Sequence, residues 1–138
     1  FLFPTRFHET LEKTTLPPGT PLPVQTEGVV EIRFAAKIEW SSFISDPERV
    51  ALLRDFHILR EEVVEERFRF GEPPGIHVGF ASVYRLSKPW VLPMEKRFGG
   101  CRSWVELPDA PPHRLEAVIS DEENRRRSQE LRGLLKLD

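Results

Sequence analysis

Between Val30 and Trp40 the chain alternates almost strictly. Val30, Ile32, Phe34, Ala36, Ile38 and Trp40 fall on one side of an extended backbone, and Glu31, Arg33, Lys37 and Glu39 fall on the other. A period of two means a strand with one dry face and one wet face, and such a strand needs neighbouring strands and an apolar cover. The rest of the chain must supply both.

The following segments read as that supply. Ser45-Asp46-Pro47-Glu48 combines a capping box, an early-turn proline and an acidic first turn, which predicts a helix of about three turns through Val50, Leu53 and His57, with Leu52 and Phe56. Arg60 to Phe70 is a second helical stretch, with Val64 and Phe68 on one face and Glu65 placed to pair with Arg69; Gly71-Glu72-Pro73-Pro74-Gly75 stops it. Ile76 to Leu86 is rich in strand formers and reads as a central strand covered on both sides, with His77 a hydrogen-bonded core residue. Short strands are expected at Trp90-Val91-Leu92, Arg102 to Leu107 and Leu115 to Ile119, before a C-terminal helix opened by the capping box at Ser120-Asp121-Glu122-Glu123. Phe1-Leu2-Phe3 reads as the end of a buried strand, with a further segment expected before it, and the proline-rich stretch 14–28 as an extended tether or lid.

Composition narrows what such a domain can do. The 138 residues carry 20 basic and 22 acidic side chains, a net charge of -2, so a strongly basic nucleic-acid binder is excluded while a local basic patch is not. A single cysteine, Cys101, excludes an internal disulfide framework and points to the cytoplasm, and no apolar run approaches the ~20 residues of a membrane span, so no membrane partner is expected. Fifteen arginines against five lysines, with few asparagines, glutamines, methionines or cysteines, fit a heat-adapted protein and GC-rich coding equally well.

Motifs with defined chemistry are scarce. The four histidines, at 8, 57, 77 and 113, lie in separate elements, and Cys101 has no CxxC companion, so neither a metal nor a cofactor is expected. No Walker pattern or GxGxxG is present, and no Asp/Glu-x-Lys triplet of the kind metal-dependent nucleases use. Glu31, Lys37 and Glu39 share a face but match a solvated sheet surface, as Glu61, Glu62, Glu65, Glu66 and Arg125-Arg126-Arg127 match solvated helix surfaces. The most unusual segment is Lys96-Arg97-Phe98-Gly99-Gly100-Cys101-Arg102-Ser103-Trp104. Its glycines let a ligand approach closely, and its cations and aromatics suit phosphate contact and base stacking; equally, they could form a glycine turn entering a strand whose Trp104 plugs the core.

Phe3-Pro4-Thr5 with His8, Glu62 to Phe68 with Arg67, Val83-Tyr84-Arg85-Leu86 and Gly100-Cys101-Arg102-Ser103-Trp104-Val105-Glu106-Leu107 resemble an uncharacterised prokaryotic family, domain of unknown function 1802. The likeness runs from residue 1 to about 107, the larger C-terminal part of that domain. Some relatives occur with Mrr-type restriction endonuclease domains, which implies a place in restriction or DNA handling. The positions matching the family motifs are Pro4, Thr5, His8, Arg67, Tyr84, Arg85, Gly99, Gly100, Cys101, Ser103 and Trp104.

The expected fold is one α+β domain with a mostly antiparallel, curled sheet of about five strands and two or three helices packed on it. A PUA-like pseudobarrel would satisfy that order by analogy. The expected function is a non-catalytic nucleic-acid-associated module that binds through Arg67, Arg85, Arg97, Gly99, Gly100, Arg102, Ser103 and Trp104. The alternatives are a metal-dependent hydrolase or nuclease acting through His8 with a carboxylate, and a structural or interaction domain.

Overall fold

The computed structural model describes residues 1–4, 11–17, 19–20, 26–98 and 104–137. Along them run β1 (Val29–Ile44), α1 (Pro47–Ala51), a 3₁₀ turn (Arg54–Phe56), α2 (Glu61–Phe70), β2 (Ile76–Pro93), a second 3₁₀ turn (Lys96–Phe98), β3 (Leu115–Ala117) and α3 (Asp121–Leu134). The strands form an open antiparallel sheet in the order β1-β2-β3, so the architecture is α+β. Two compact units divide the chain: Phe1–Arg6, Leu22–Lys37 and Ser82–Ile119 make the first, and Phe7–Pro21, Ile38–Ala81 and Ser120–Asp138 the second. Strands β1 and β2 each contribute to both.

In the first unit the even-numbered strand residues Val30, Ile32, Leu86, Trp90 and Leu92 form the core, with Phe3, Ala35 and Leu107 packed against it. Enclosing Ile32 completely contributes roughly 1.5–3 kcal/mol of transfer free energy. The N-terminal segment runs beside β1, where the Leu2 N–H donates to the Phe34 carbonyl at 2.9 Å, and Phe3 meets Phe98 with ring centroids 5.4 Å apart. β3 pairs with β2 in the register Tyr84↔Ala117, Arg85↔Glu116, Leu86↔Leu115.

That register explains why β2 runs through two prolines. The Ser87 N–H donates to the Arg114 carbonyl and the Val83 carbonyl accepts from Val118, so odd-numbered residues of β2 turn their backbone polar groups toward β3. β3 ends short of this stretch, and Pro89 and Pro93, both odd, stand where an N–H would find no strand partner among the described residues. The expected separate strand at Trp90–Leu92 is therefore the continuation of β2.

The second unit has its own core of Ile44, Val50, Leu53, Leu131 and Leu135, joined by Trp40, Val64, Phe68, Ile76, Val78 and Phe80. Asp46 caps α1, its Oδ1 accepting from the Glu48 N–H at 2.9 Å with Pro47 in the first turn, and Ser120 caps α3, its Oγ accepting from the Glu123 N–H at 3.2 Å. Trp40 fixes α3 to the sheet: it stacks on Phe80 at 5.8 Å and its Nε1–H donates to Ser128 Oγ at 2.8 Å. After α2 the chain passes so close to β1 that a Cβ on Gly75 would sit 2.8 Å from the Ile44 carbonyl oxygen, and only glycine fits there. Residues 13–15 are held along residues 58–60, Thr15 N–H donating to the Ile58 carbonyl at 2.7 Å and Arg60 N–H to the Lys13 carbonyl at 3.0 Å.

Several expectations change. Among the described residues the sheet has three strands and is open, where about five and a pseudobarrel are expected; residues 104–107 take no regular structure, and residues 102–103 lie outside the described set. Within each unit the described core takes even-numbered residues of β2, and the odd-numbered His77, Arg85 and Val91 are exposed, so cover on both sides is not seen among the described residues. His77 is thus a surface residue, edged against Phe43 at 5.0 Å, rather than a core one. The dry face of β1 fails at Ile38, 61% exposed, which belongs to neither core. The first helix lasts five residues instead of about three turns, because bonds from Leu53 N to Val50 O and Phe56 N to Leu53 O tighten the chain into 3₁₀ geometry.

Candidate functional site

Of the residues predicted to bind, Arg67 belongs to the second unit, while Arg85, Arg97 and Trp104 belong to the first. His8 and the run Gly99, Gly100, Cys101, Arg102 and Ser103 lie outside the described residues. In the first unit Arg85 rises from the exposed face of β2 with its guanidinium carbon 5.8 Å above the Phe34 ring. Arg97, in the second 3₁₀ turn, is held by Glu95 through two bonds, Nε to Oε2 at 2.9 Å and Nη2 to Oε1 at 3.1 Å, and lies 4.9 Å over Phe98. Hydrogen bonding to Glu95, aided by the fields of Glu95 and Glu106, raises the Arg97 pKa further above its ordinary value. Trp104 is 90% exposed, so the reading that places it as a core plug is corrected. The core tryptophan of this unit is Trp90, 6% exposed, with its ring against Phe1 and His113.

The second unit holds a cleft of about 920 Å³, near the upper end of the size range of small-molecule sites. Its floor is the start of β2, where Ile76, Val78 and Phe80 stand on the core face and the bare backbone of Gly79 adds to the lining, while the His77 ring stands on the opposite, exposed face against Phe43. The turn after α1 supplies Asp55, Phe56 and His57, α2 supplies Arg67, and α3 supplies Arg126, Arg127 and Glu130. Helical spacing explains the α3 group: Glu123 stands three residues before Arg126 and four before Arg127, and Glu130 four beyond Arg126, so each guanidinium meets a carboxylate along its own helix. Glu123 accepts from both arginines, at 2.8 Å from Arg126 and 2.6 Å from Arg127, and those hydrogen bonds hold its pKa down at about 2. The same bond to Glu123 raises the Arg126 pKa.

Arg67 differs from these two. Among the described residues neither it nor Asp55 has a hydrogen-bond or ion-pair partner, and Arg67 is exposed at the cleft. His57 accepts a hydrogen bond from the Leu59 N–H at Nδ1, 3.1 Å, so in its neutral form the proton sits on Nε2 and is available to donate. The cleft therefore combines an apolar floor, one uncommitted guanidinium, one imidazole and one uncommitted carboxylate. Of the cleft lining, the sequence names only Arg67 as a binding residue, through its match to a family motif, and does not single out Asp55, Phe56, His57, Arg126 or Arg127. No local signal marks them, since the cleft is assembled from four separated stretches of chain. Among the described residues no group of three or more His, Cys, Asp or Glu side chains gathers as a metal site, and no helix is long and apolar enough to cross a membrane.

A family model described as "Domain of unknown function (DUF1802)" matches residues 1–130, a longer match than the likeness to residue 107 suggests. No curated protein and no solved structure matches the chain.

Proposed function

The chain belongs to the DUF1802 family, whose description assigns no activity, and from that premise we propose that it is a non-catalytic nucleic-acid-associated module working in restriction or DNA handling. The observation that carries the reading is Trp104, an indole left 90% open to solvent. Exposing so large an apolar ring is unfavourable in a free protein and useful when a flat partner covers it. Bases stack on such rings for about 1–3 kcal/mol each without regard to sequence, and the same unit offers Arg85 for phosphate oxygens, with Arg97 joining where a phosphate displaces Glu95. Gly99, Gly100, Arg102 and Ser103, next to Trp104 in the chain, belong to the expected contact set, as does Arg67 of the second unit.

Fluorescence anisotropy with labelled single- and double-stranded oligonucleotides, at low and moderate salt, tests this. Binding should weaken with salt, and Trp104→Ala should weaken single-strand binding by about tenfold. Arg85→Ala and Arg97→Ala should each reduce the salt slope by about one. Absence of salt-dependent binding, or an unchanged affinity in Trp104→Ala, would overturn the proposal.

A further inference from the structure

The cleft of the second unit is a separate matter, resting on different residues and independent of the reading above. We infer that it is a binding site for a 5′-phosphorylated nucleoside. Charge complementarity comes first. Arg126 and Arg127 are neutralised along α3, whereas Arg67 has no counter-ion among the described residues, so an incoming anion meets one uncommitted fork of N–H donors. His57, whose neutral ring carries its proton at Nε2, lines the same cleft. A guanidinium fork with an imidazole donor beside it suits the several terminal oxygens of a phosphate monoester.

The remainder of the lining selects the rest of the ligand. Phe56 and Phe80, with the aliphatic floor of β2, offer flat apolar surface for a base. Asp55 opposes any bare anion, yet its free carboxylate accepts hydrogen bonds, which is the way acidic residues hold ribose hydroxyls. A donor set for phosphate, an acceptor for sugar and an apolar bed for a base are all present in one cleft.

Isothermal titration of the full chain with AMP, adenosine and inorganic phosphate tests the assignment. AMP should bind saturably and more tightly than adenosine or phosphate. Arg67→Ala should weaken AMP by about tenfold or more, as expected for loss of a charge-assisted contact, and leave adenosine unchanged. Asp55→Ala should act in opposite directions, weakening AMP and strengthening inorganic phosphate. A 5′-phosphorylated dinucleotide distinguishes the source: affinity equal to that of AMP assigns the site to a strand end, and exclusion assigns it to a free nucleotide. Circular dichroism confirms that the variants fold, and Arg67→Lys, which keeps the charge and loses the fork, should be intermediate. No saturable AMP binding, equal AMP affinity in folded Arg67→Ala, or a preference for inorganic phosphate over AMP would overturn the inference. Because the oligonucleotide test turns on Trp104 and this one on Arg67 and Asp55, either reading can fail alone.

Discussion

The two compact units use the same pair of strands and cover them differently. In the first, the residues packed on Val30, Ile32, Leu86, Trp90 and Leu92 come from irregular segments that carry Phe3 and Leu107, and among the described residues it has a 3₁₀ turn but no α-helix. In the second, α1, α2 and α3 supply the cover. Helices bring their own electrostatics: Glu65 pairs with Arg69 at 3.1 Å, and Glu123 and Glu130 engage Arg126 and Arg127, so of the three arginines that line the cleft Arg67 alone is without a carboxylate partner among the described residues. Irregular cover has no such periodicity, and it leaves a whole indole, Trp104, in solvent. Both units leave an aromatic ring in solvent, Trp104 in the first and Phe70 at the end of α2 in the second, but the second sets its unpaired Arg67 at the rim of a cleft.

The sharpest test of that contrast is in the cores. Ile32 in the first unit and Leu135 in the second are both fully enclosed. If irregular cover packs as tightly as helical cover, Ile32→Ala and Leu135→Ala should each cost about 2–5 kcal/mol in urea unfolding. A cost for Ile32→Ala well below that of Leu135→Ala would show a first-unit core that relaxes around the lost side chain, and the equivalence of the two covers would break.

A smaller effect is expected at Gly75, where the second unit depends on backbone rather than side-chain contact. Gly75→Ala places a methyl group against the Phe43 ring and the Ile44 carbonyl, and backbone can give way less easily than a ring. The expected loss is about 1–3 kcal/mol by thermal or urea unfolding, as for other overpacked sites. Phe43→Ala in the same background should recover only part of it, since the carbonyl clash stays.

Legibility in the sequence follows the same division. The caps at Asp46 and Ser120 and the Glu65–Arg69 pair are local chemistry, and each is found where sequence spacing puts it. Alternation located β1 and the even face of β2, but not the number of faces covered, because period two is silent on what lies over the opposite side. Pro89 and Pro93 read as strand breaks until the short reach of β3 is known, a fact of pairing between segments far apart in the chain. The cleft was the least legible feature. Arg67 could be singled out, yet Asp55 and His57 acquire meaning only when the turn after α1 is seen facing the start of β2.

The smallest effect tests whether the α3 cations are truly spoken for. Hydrogen bonds from Arg126 and Arg127 lower the Glu123 pKa from 4.5 to about 2. A carboxyl group whose pKa is lower folded than unfolded stabilises the fold above its unfolded pKa and loses that contribution as pH falls through the folded one. The stability gap between wild type and Glu123→Gln should therefore be full above pH 4.5, narrow on descent toward pH 2 and vanish below it. Added salt should shrink it too, because the group is exposed and the pair is screened. Thermal melts of both proteins across that range, at low and high salt, give the measurement. A gap that ignores pH would mean that the charge of Glu123 contributes nothing to the fold, leaving Arg126 and Arg127 as uncommitted as Arg67 and removing the contrast within the cleft.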